Sequence, residues 1–396
     1  MDRRLIWLAV GAFATSTVAF VFAGLLPLIS ASANITIAEA GYLMTVFSLS
    51  YAIGTPILST LFGAVDRRRV IAFALLCFIA GNALAAASGS YLGLLGAQIV
   101  MGTAAGLFAS TAQAAAIALS SPDHRARAVS AVLGGTTLAV AIGAPLGALV
   151  GNLAGWRATY VFVAALAFVC LAVLWLRLPH GIAGVKLTLR ERVMVIGRPG
   201  VLPSLVVTFL YLTGGFAVIC YFGPLATEGA GMQVAMVPAM LLVFGLGAII
   251  GNYSSGQLAD RLGATRLVAL SLTASIIVCV LLTAVLEFAP DDLAGPLLIA
   301  LMLPWGIVGW MFPPAQASRL VAAAPELASL TMPLNVSAMY FGIALGSFVG
   351  GQALRLAPPA ELGLVAAAFS LAALGVLGAS TLTARRRLAL NAAVNS

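Results

Sequence analysis

The sequence predicts an all-α membrane protein, twelve transmembrane helices in two six-helix pseudo-symmetric halves. Three observations predict it. Of 396 residues, 62% are hydrophobic and only 8% charged, against about 25% charged in a soluble globular chain. The few charges cut the chain into long apolar runs. Two motifs recur at nearly half the chain length.

Eleven charge-free runs span 5–38, 40–65, 70–122, 128–156, 158–176, 199–227, 229–259, 267–286, 293–318, 327–354 and 362–384. A spanning helix needs roughly 20 apolar residues at about 1.5 Å rise each. The first run is too long for a signal peptide and has no small-residue cleavage site leading to a soluble domain; it is helix 1. Run 70–122 holds two helices, parted at the turn-type cluster Ser88-Gly89-Ser90-Tyr91. The count is therefore twelve. Six helices fall in 1–178 and six in 200–396, joined by a linker at 179–199. The middle of that linker, Lys186 to Ile196, mixes apolar residues with Arg190, Glu191 and Arg192, a pattern suited to an interfacial amphipathic helix.

Basic residues orient the chain. With both termini cytoplasmic, 18 of 20 Lys and Arg fall on the cytoplasmic side, and Arg157 and Arg355 alone lie outside. The net charge of +8 is thus a topology signal. A nucleic-acid partner is not expected, since no basic patch lies on a soluble domain. Cys77, Cys170, Cys220 and Cys279 all fall inside spans and lack metal or disulfide spacing. His124 and His180 lie in loops, and no phosphate loop or nucleophile–base pair is present. Enzyme chemistry finds little support in that pattern: no enzyme and no cofactor are expected.

"VDRRR" at 65–69 joins helices 2 and 3, and "ADRLGATR" at 259–266 joins helices 8 and 9. Asp66 and Asp260 are 194 residues apart; "GAPLGALVG" at 143–151 and "GIALGSFVG" at 342–350 are 199 apart. Two repeated halves are the architecture of a rocking transporter with its substrate between them near the midplane. Gly256 lets helix 8 approach a neighbour closely. Asp260 sits at a helix end, where a carboxylate can meet another helix's positive terminus, and Arg261 and Arg266 can pair with acids or lipid phosphates.

"GQLADRLG" at 256–263 resembles the loop signature of the major facilitator superfamily, and "FGAVDRRR" at 62–69 resembles a shortened copy of it. "GAPLGALVGNLAGWRATY" at 143–160 is similar to that family's antiporter motif, and residues 22–58 resemble its helix 1 to helix 2 region. The resemblance extends to the drug:proton antiporter branch of arabinose, nucleoside and chloramphenicol exporters. It implies a cytoplasmic latch at Asp66, Arg67, Arg69, Gly256, Asp260, Arg261 and Arg266. It also implies an outer seal at Gly143, Pro145 and Gly147.

The family's usual helix 1 carboxylate and helix 4 arginine are replaced by Ala19 and Gln98. No ionisable residue falls deep in any expected span, although buried charge persists there mainly for function. A neutral cavity suits a neutral or amphipathic solute. Helices 1, 4, 7 and 10 line the centre by resemblance to the family. The expected substrate contacts are Thr15, Ser16, Gln98, Gln113, Tyr211, Tyr221, Trp305 and Trp310, with Asn335 and Tyr340 from helix 11. The expected function is export of a sugar, nucleoside or drug-like compound across a bacterial inner membrane, by a monomer embedded in lipid. Proton antiport follows from the resemblance. An uncoupled facilitator and a non-transporting sensor or assembly subunit are the alternatives.

Overall fold

The computed structural model describes residues 3–121, 124–182, 194–323 and 325–394. The interfacial helix expected within 186–196 lies largely outside the described residues. Twelve described helices are long and apolar enough to cross a membrane. They are α1 (Arg4–Ala33), α2 (Ile37–Leu61), α3 (Arg67–Ala87), α4 (Tyr91–Ala118), α5 (Arg127–Ala154) and α6 (Trp156–Arg177). The second set is α7 (Val201–Ile219), α8 (Val234–Leu262), α9 (Ala264–Phe288), α10 (Asp291–Ala323), α11 (Leu330–Leu356) and α12 (Pro359–Thr383). No strand occurs among the described residues.

Local chemistry sets several helix starts. Thr36 and Glu39 form a reciprocal capping box at α2, with Thr36 N–H donating to Glu39 Oε2 at 2.8 Å. Ser90 accepts from Gly93 N–H at the start of α4, where the expected turn at 88–91 falls. Asp66 caps α3, accepting from Arg68 N–H at 3.1 Å. Pro145 lacks an N–H and its ring crowds the carbonyl four residues earlier. The chain accommodates this in a π-helical turn, Ala139–Gly143, immediately before it. A second π turn, Leu225–Gly229, follows Pro224 past the end of α7.

The packing repeats with a six-helix step. In the first half α1 packs on α5 and α6, α2 on α4, and α3 on α4 and α6. In the second, α7 packs on α11 and α12, α8 on α10, and α9 on α10 and α12. The halves meet chiefly along two seams, α2 against α11 and α5 against α8. Apolar side chains gain little by leaving lipid, so close backbone approach at small residues drives this packing. Gly143, Gly147 and Gly151 of α5 meet Thr17, Val21 and Leu25 of α1. Their repeat partners Gly342, Gly346 and Gly350 of α11 meet Phe209, Thr213 and Ala217 of α7. Both sets step by four residues, so the matched sequences make matched contacts.

Candidate functional site

The two seams are the surfaces along which the halves touch. They divide into an end bearing the α2–α3 and α8–α9 loops, the basic end, a centre, and the opposite end.

The opposite end is stitched across halves by hydrogen bonds. Ser347 Oγ of α11 donates to Gly41 O of α2 at 2.8 Å, and within the second half Tyr221 O–H donates to Ser347 O at 2.6 Å. Gln352 Nε2 donates to Tyr42 O–H at 2.7 Å, and Tyr42 stacks on Phe348. Asn152 Nδ2 of α5 reaches Val234 O of α8 at 3.3 Å. Gly41 and Gly351 leave room for the Tyr221 ring and hydroxyl between the helices.

The centre is closed by aromatics. Phe20 of α1 meets Phe216 of α7 and Trp310 of α10, with ring centroids 6.0 and 5.9 Å away. Tyr51 of α2 lies parallel to Tyr340 of α11, centroids 3.5 Å apart and planes 9° apart. On the other seam, buried Gly245 of α8 lies against the backbone of Val140 and Ala141, inside the π turn of α5.

The basic end differs from expectation. Asp66 lies just ahead of α3, while Asp260 lies in the last turn of α8, so the two motif copies are not geometrically equivalent. Asp66 works inside its own half. Its Oδ2 accepts from Gly181 N–H at 3.0 Å, beyond the end of α6. Burial pushes its carboxyl up, but the N–H donors of Gly181 and Arg68 and the charges of Arg69 and His180 hold it below the usual carboxylate range. Arg68 stacks over Trp175 at 4.5 Å, bonds to Trp175 O and contacts His180. Arg67 is buried, and Arg69, Asp260, Arg261 and Arg266 are exposed. Gly256 has nothing within 4 Å of where a Cβ would stand, so the close approach expected there is not made. Gly263 carries the conformational demand instead, with φ 84° at the α8–α9 turn.

The expected substrate contacts do not form one lining. Thr15 donates to Gly11 O of its own helix, and Ser16 bonds Thr136 of α5 at 3.1 Å. Gln98 is fully buried and donates to Tyr160 O–H of α6 at 3.2 Å, while its Oε1 has no partner. Gln113 is half-buried on α4. Tyr211 bonds Ser275 of α9 and packs on Phe312, within the second half. Trp305 packs between Phe222 and Phe244. Asn335 accepts from Thr208 O–H at 2.8 Å. Tyr221, Trp310 and Tyr340 alone of the ten meet the other half through the contacts described above. Gly143 and Gly147 pack α5 on α1, and Pro145 is buried beside them.

Sequence reasoning missed Tyr51, Phe20, Phe216 and Ser347. Tyr51 carried a usable signal. It stands mid-span, away from the interfacial belt where tyrosine is ordinarily found. Arg319, which sequence reasoning gave no role, is a further case. Arg319 lies in α10, half-buried, and donates to Ser380 Oγ of α12 at 3.0 Å and to Gln316 Oε1 at 3.4 Å.

Twelve spanning helices among the described residues, with packing that repeats between two six-helix sets, define a multi-pass membrane protein. The model of the Major Facilitator Superfamily matches residues 8–347. The chain belongs to that family, and it is a secondary membrane transporter rather than an enzyme. It is similar to the uncharacterized MFS-type transporter YtbD of Bacillus subtilis, 31% identical over 392 residues, covering 97% of this chain and 95% of the relative. It is similar to the inner membrane transport protein YdhP of Escherichia coli, 29% identical over 351 residues, covering 89% and 88%. The crystal structure of the human organic anion transporter MFSD10 shares its fold with a TM-score of 0.72 at 18% identity, covering 95% of this chain and 99% of that one.

Proposed function

We propose that this carrier exports a small neutral or amphipathic compound, sugar, nucleoside or drug-like, across a bacterial inner membrane by alternating access. The contrast between its two ends carries the reading. Four helices, α2, α5, α8 and α11, are bonded across halves at the opposite end. At the basic end Asp66 is bonded inside its own half and Asp260 is exposed. That pattern fits a state sealed on the outer side with its cytoplasmic latch disengaged. The concentration of basic residues in the loops of one end supports cytoplasmic termini. The printed name of the Escherichia coli relative supports the inner membrane. In this reading Asp260, Arg261 and Arg266 engage the first half only when the basic end closes.

Proton antiport belongs to the resembled branch. Ala19 and fully buried Gln98 offer no titrating group at the branch's usual positions, which favours an uncoupled facilitator as the second reading. Flux of a solute panel into vesicles holding the purified protein, with and without a pH gradient, tests both. Gradient-driven accumulation supports antiport; equilibration indifferent to the gradient supports the facilitator. Absence of any protein-dependent flux overturns the proposed export.

A further inference from the structure

The Tyr51–Tyr340 pair is the most parallel and closest ring pair described in the chain, and its rings belong to different halves. Aromatic pairs prefer offset or edge-to-face arrangements, because two negative faces repel when laid one over the other. Here two phenol rings, both electron-rich, lie face to face at 3.5 Å and 9°. Phe47 supports Tyr51 from its own half, 6.5 Å away and tilted. Toward the basic end, Thr55 and Pro56 of α2 and Pro333, Leu334 and Ser337 of α11 border a small void of about 10 Å³. Ser337 Oγ reaches Ala52 O across that seam at 3.4 Å. The rings thus stand at the head of a narrow polar-edged crevice between the halves.

We propose that Tyr51 and Tyr340 form a substrate slot for one flat, neutral, electron-poor ring, such as a nitroarene, a quinone-like ring or an electron-poor heteroaromatic. This rests on the alternating-access reading above and names the substrate class for it. When α2 and α11 separate by one ring thickness, about 3.5 Å, the two faces hold a planar guest without turning either side chain. The guest replaces one repulsive face-to-face contact with two attractive ones. A saturated ring is too thick for the slot and has no face to offer. An electron-rich ring gains less, because it repeats the phenols' own charge pattern. In the empty carrier the rings close on each other, and with Phe20, Phe216 and Trp310 they plug the centre.

Three neutral probes of similar size separate the terms: 4-nitrobenzamide, 4-methoxybenzamide and cyclohexanecarboxamide. Binding to the full-length protein in nanodiscs is read by calorimetry. The expected affinity order is nitro, then methoxy, then cyclohexane. Tyr340→Leu and Tyr51→Leu each weaken the nitro probe about five-fold, as loss of one ring face does, and leave the cyclohexane probe unchanged. Tyr340→Phe keeps the nitro preference, and a matching melting temperature checks each variant's fold. Equal affinity for the three probes, no binding of any, or equal loss of all three in the Leu variants overturns the slot and makes the pair a plug only. Solute flux in vesicles without ring preference leaves transport standing while the slot falls; absence of all flux removes the transport reading itself.

Discussion

Gly245→Ala adds one methyl group at the α5–α8 seam, and the structure fixes what it meets. The added carbon would stand 2.9 Å from Val140 O and 3.1 Å from the Ala141 carbonyl carbon, with Ala141 Cα closer still. All three are backbone atoms, so no rotamer change relieves the contact. The two helices must part, and they belong to different halves. Overpacking of a close-packed contact costs about 1–3 kcal/mol, and each 1.4 kcal/mol shifts an equilibrium about ten-fold. The state seen here should therefore lose population by roughly 5- to 150-fold relative to one with α5 and α8 apart. Pulsed EPR reads this directly with spin labels at Leu149 of α5 and Leu242 of α8, both exposed. The expected result is a distance distribution moved to longer values. Gly256→Ala is the control, because nothing lies within 4 Å of its added methyl. It should leave the distribution in place. The reasoning fails if Gly245→Ala leaves the distances unchanged, or if Gly256→Ala moves them as much.

Other consequences concern the seal, the buried amide and the loop carboxylate. Ser347→Ala removes the donor to Gly41 O and should weaken the opposite-end seal by about 1 kcal/mol. In a background without the four native cysteines, maleimide labelling of Ala38→Cys should then speed up several-fold. Tyr160→Phe strips Gln98 Nε2 of its hydroxyl partner while Oε1 already lacks one, so stability should fall by about 1–3 kcal/mol. Thermal unfolding in detergent checks it, and an unchanged midpoint would mean the amide has another partner. Asp66→Ala removes the α3 cap and the bond to Gly181, at about 1 kcal/mol. The Asp66 carboxyl is held below its usual range. Its contribution is therefore complete at neutral pH and is lost as pH falls through the depressed value, below the ordinary aspartate range. Hydrogen exchange in the first turn of α3 should differ between wild type and Asp66→Ala at pH 7. The difference should vanish in strong acid.

The fold was legible because the bilayer imposes it. Run length fixes spans, turn residues fix breaks, and glycines spaced four apart mark where backbones touch. The repeat between Gly143–Gly151 and Gly342–Gly350 therefore translated into matched helix contacts. The basic-end loops were less legible, and the reason lies in a few residues. α3 starts at Arg67, one residue past Asp66, whereas α9 starts at Ala264, four past Asp260. The shortened first copy draws its aspartate into a cap, and the full copy needs Gly263 at positive φ to turn the chain. Aligned letters thus concealed different local structures.

The centre was least legible, because hydropathy carries little information about which way a spanning helix faces. A helix that is apolar all round has no preferred face, and its rotation is set by the neighbours it packs on. Hydroxyl and amide side chains compounded this. Thr15 and Thr208 can satisfy themselves on their own helix carbonyls four residues back, as both do. Such a residue in a span is weak evidence for a binding site unless its helix leaves it unpaired. Aromatic side chains have no such local outlet and must find a partner across a helix gap. Where that gap is the seam between the halves, the partner belongs to the other half, and in the proposed alternating-access cycle it changes as the seam opens. Phe20, Phe216, Trp310, Tyr51 and Tyr340 meet that condition, whereas Tyr211 and Trp305, paired inside one half, do not. Crossing the seam, rather than residue type, therefore separates the side chains that the proposed cycle would place against a substrate from those that only hold a half together.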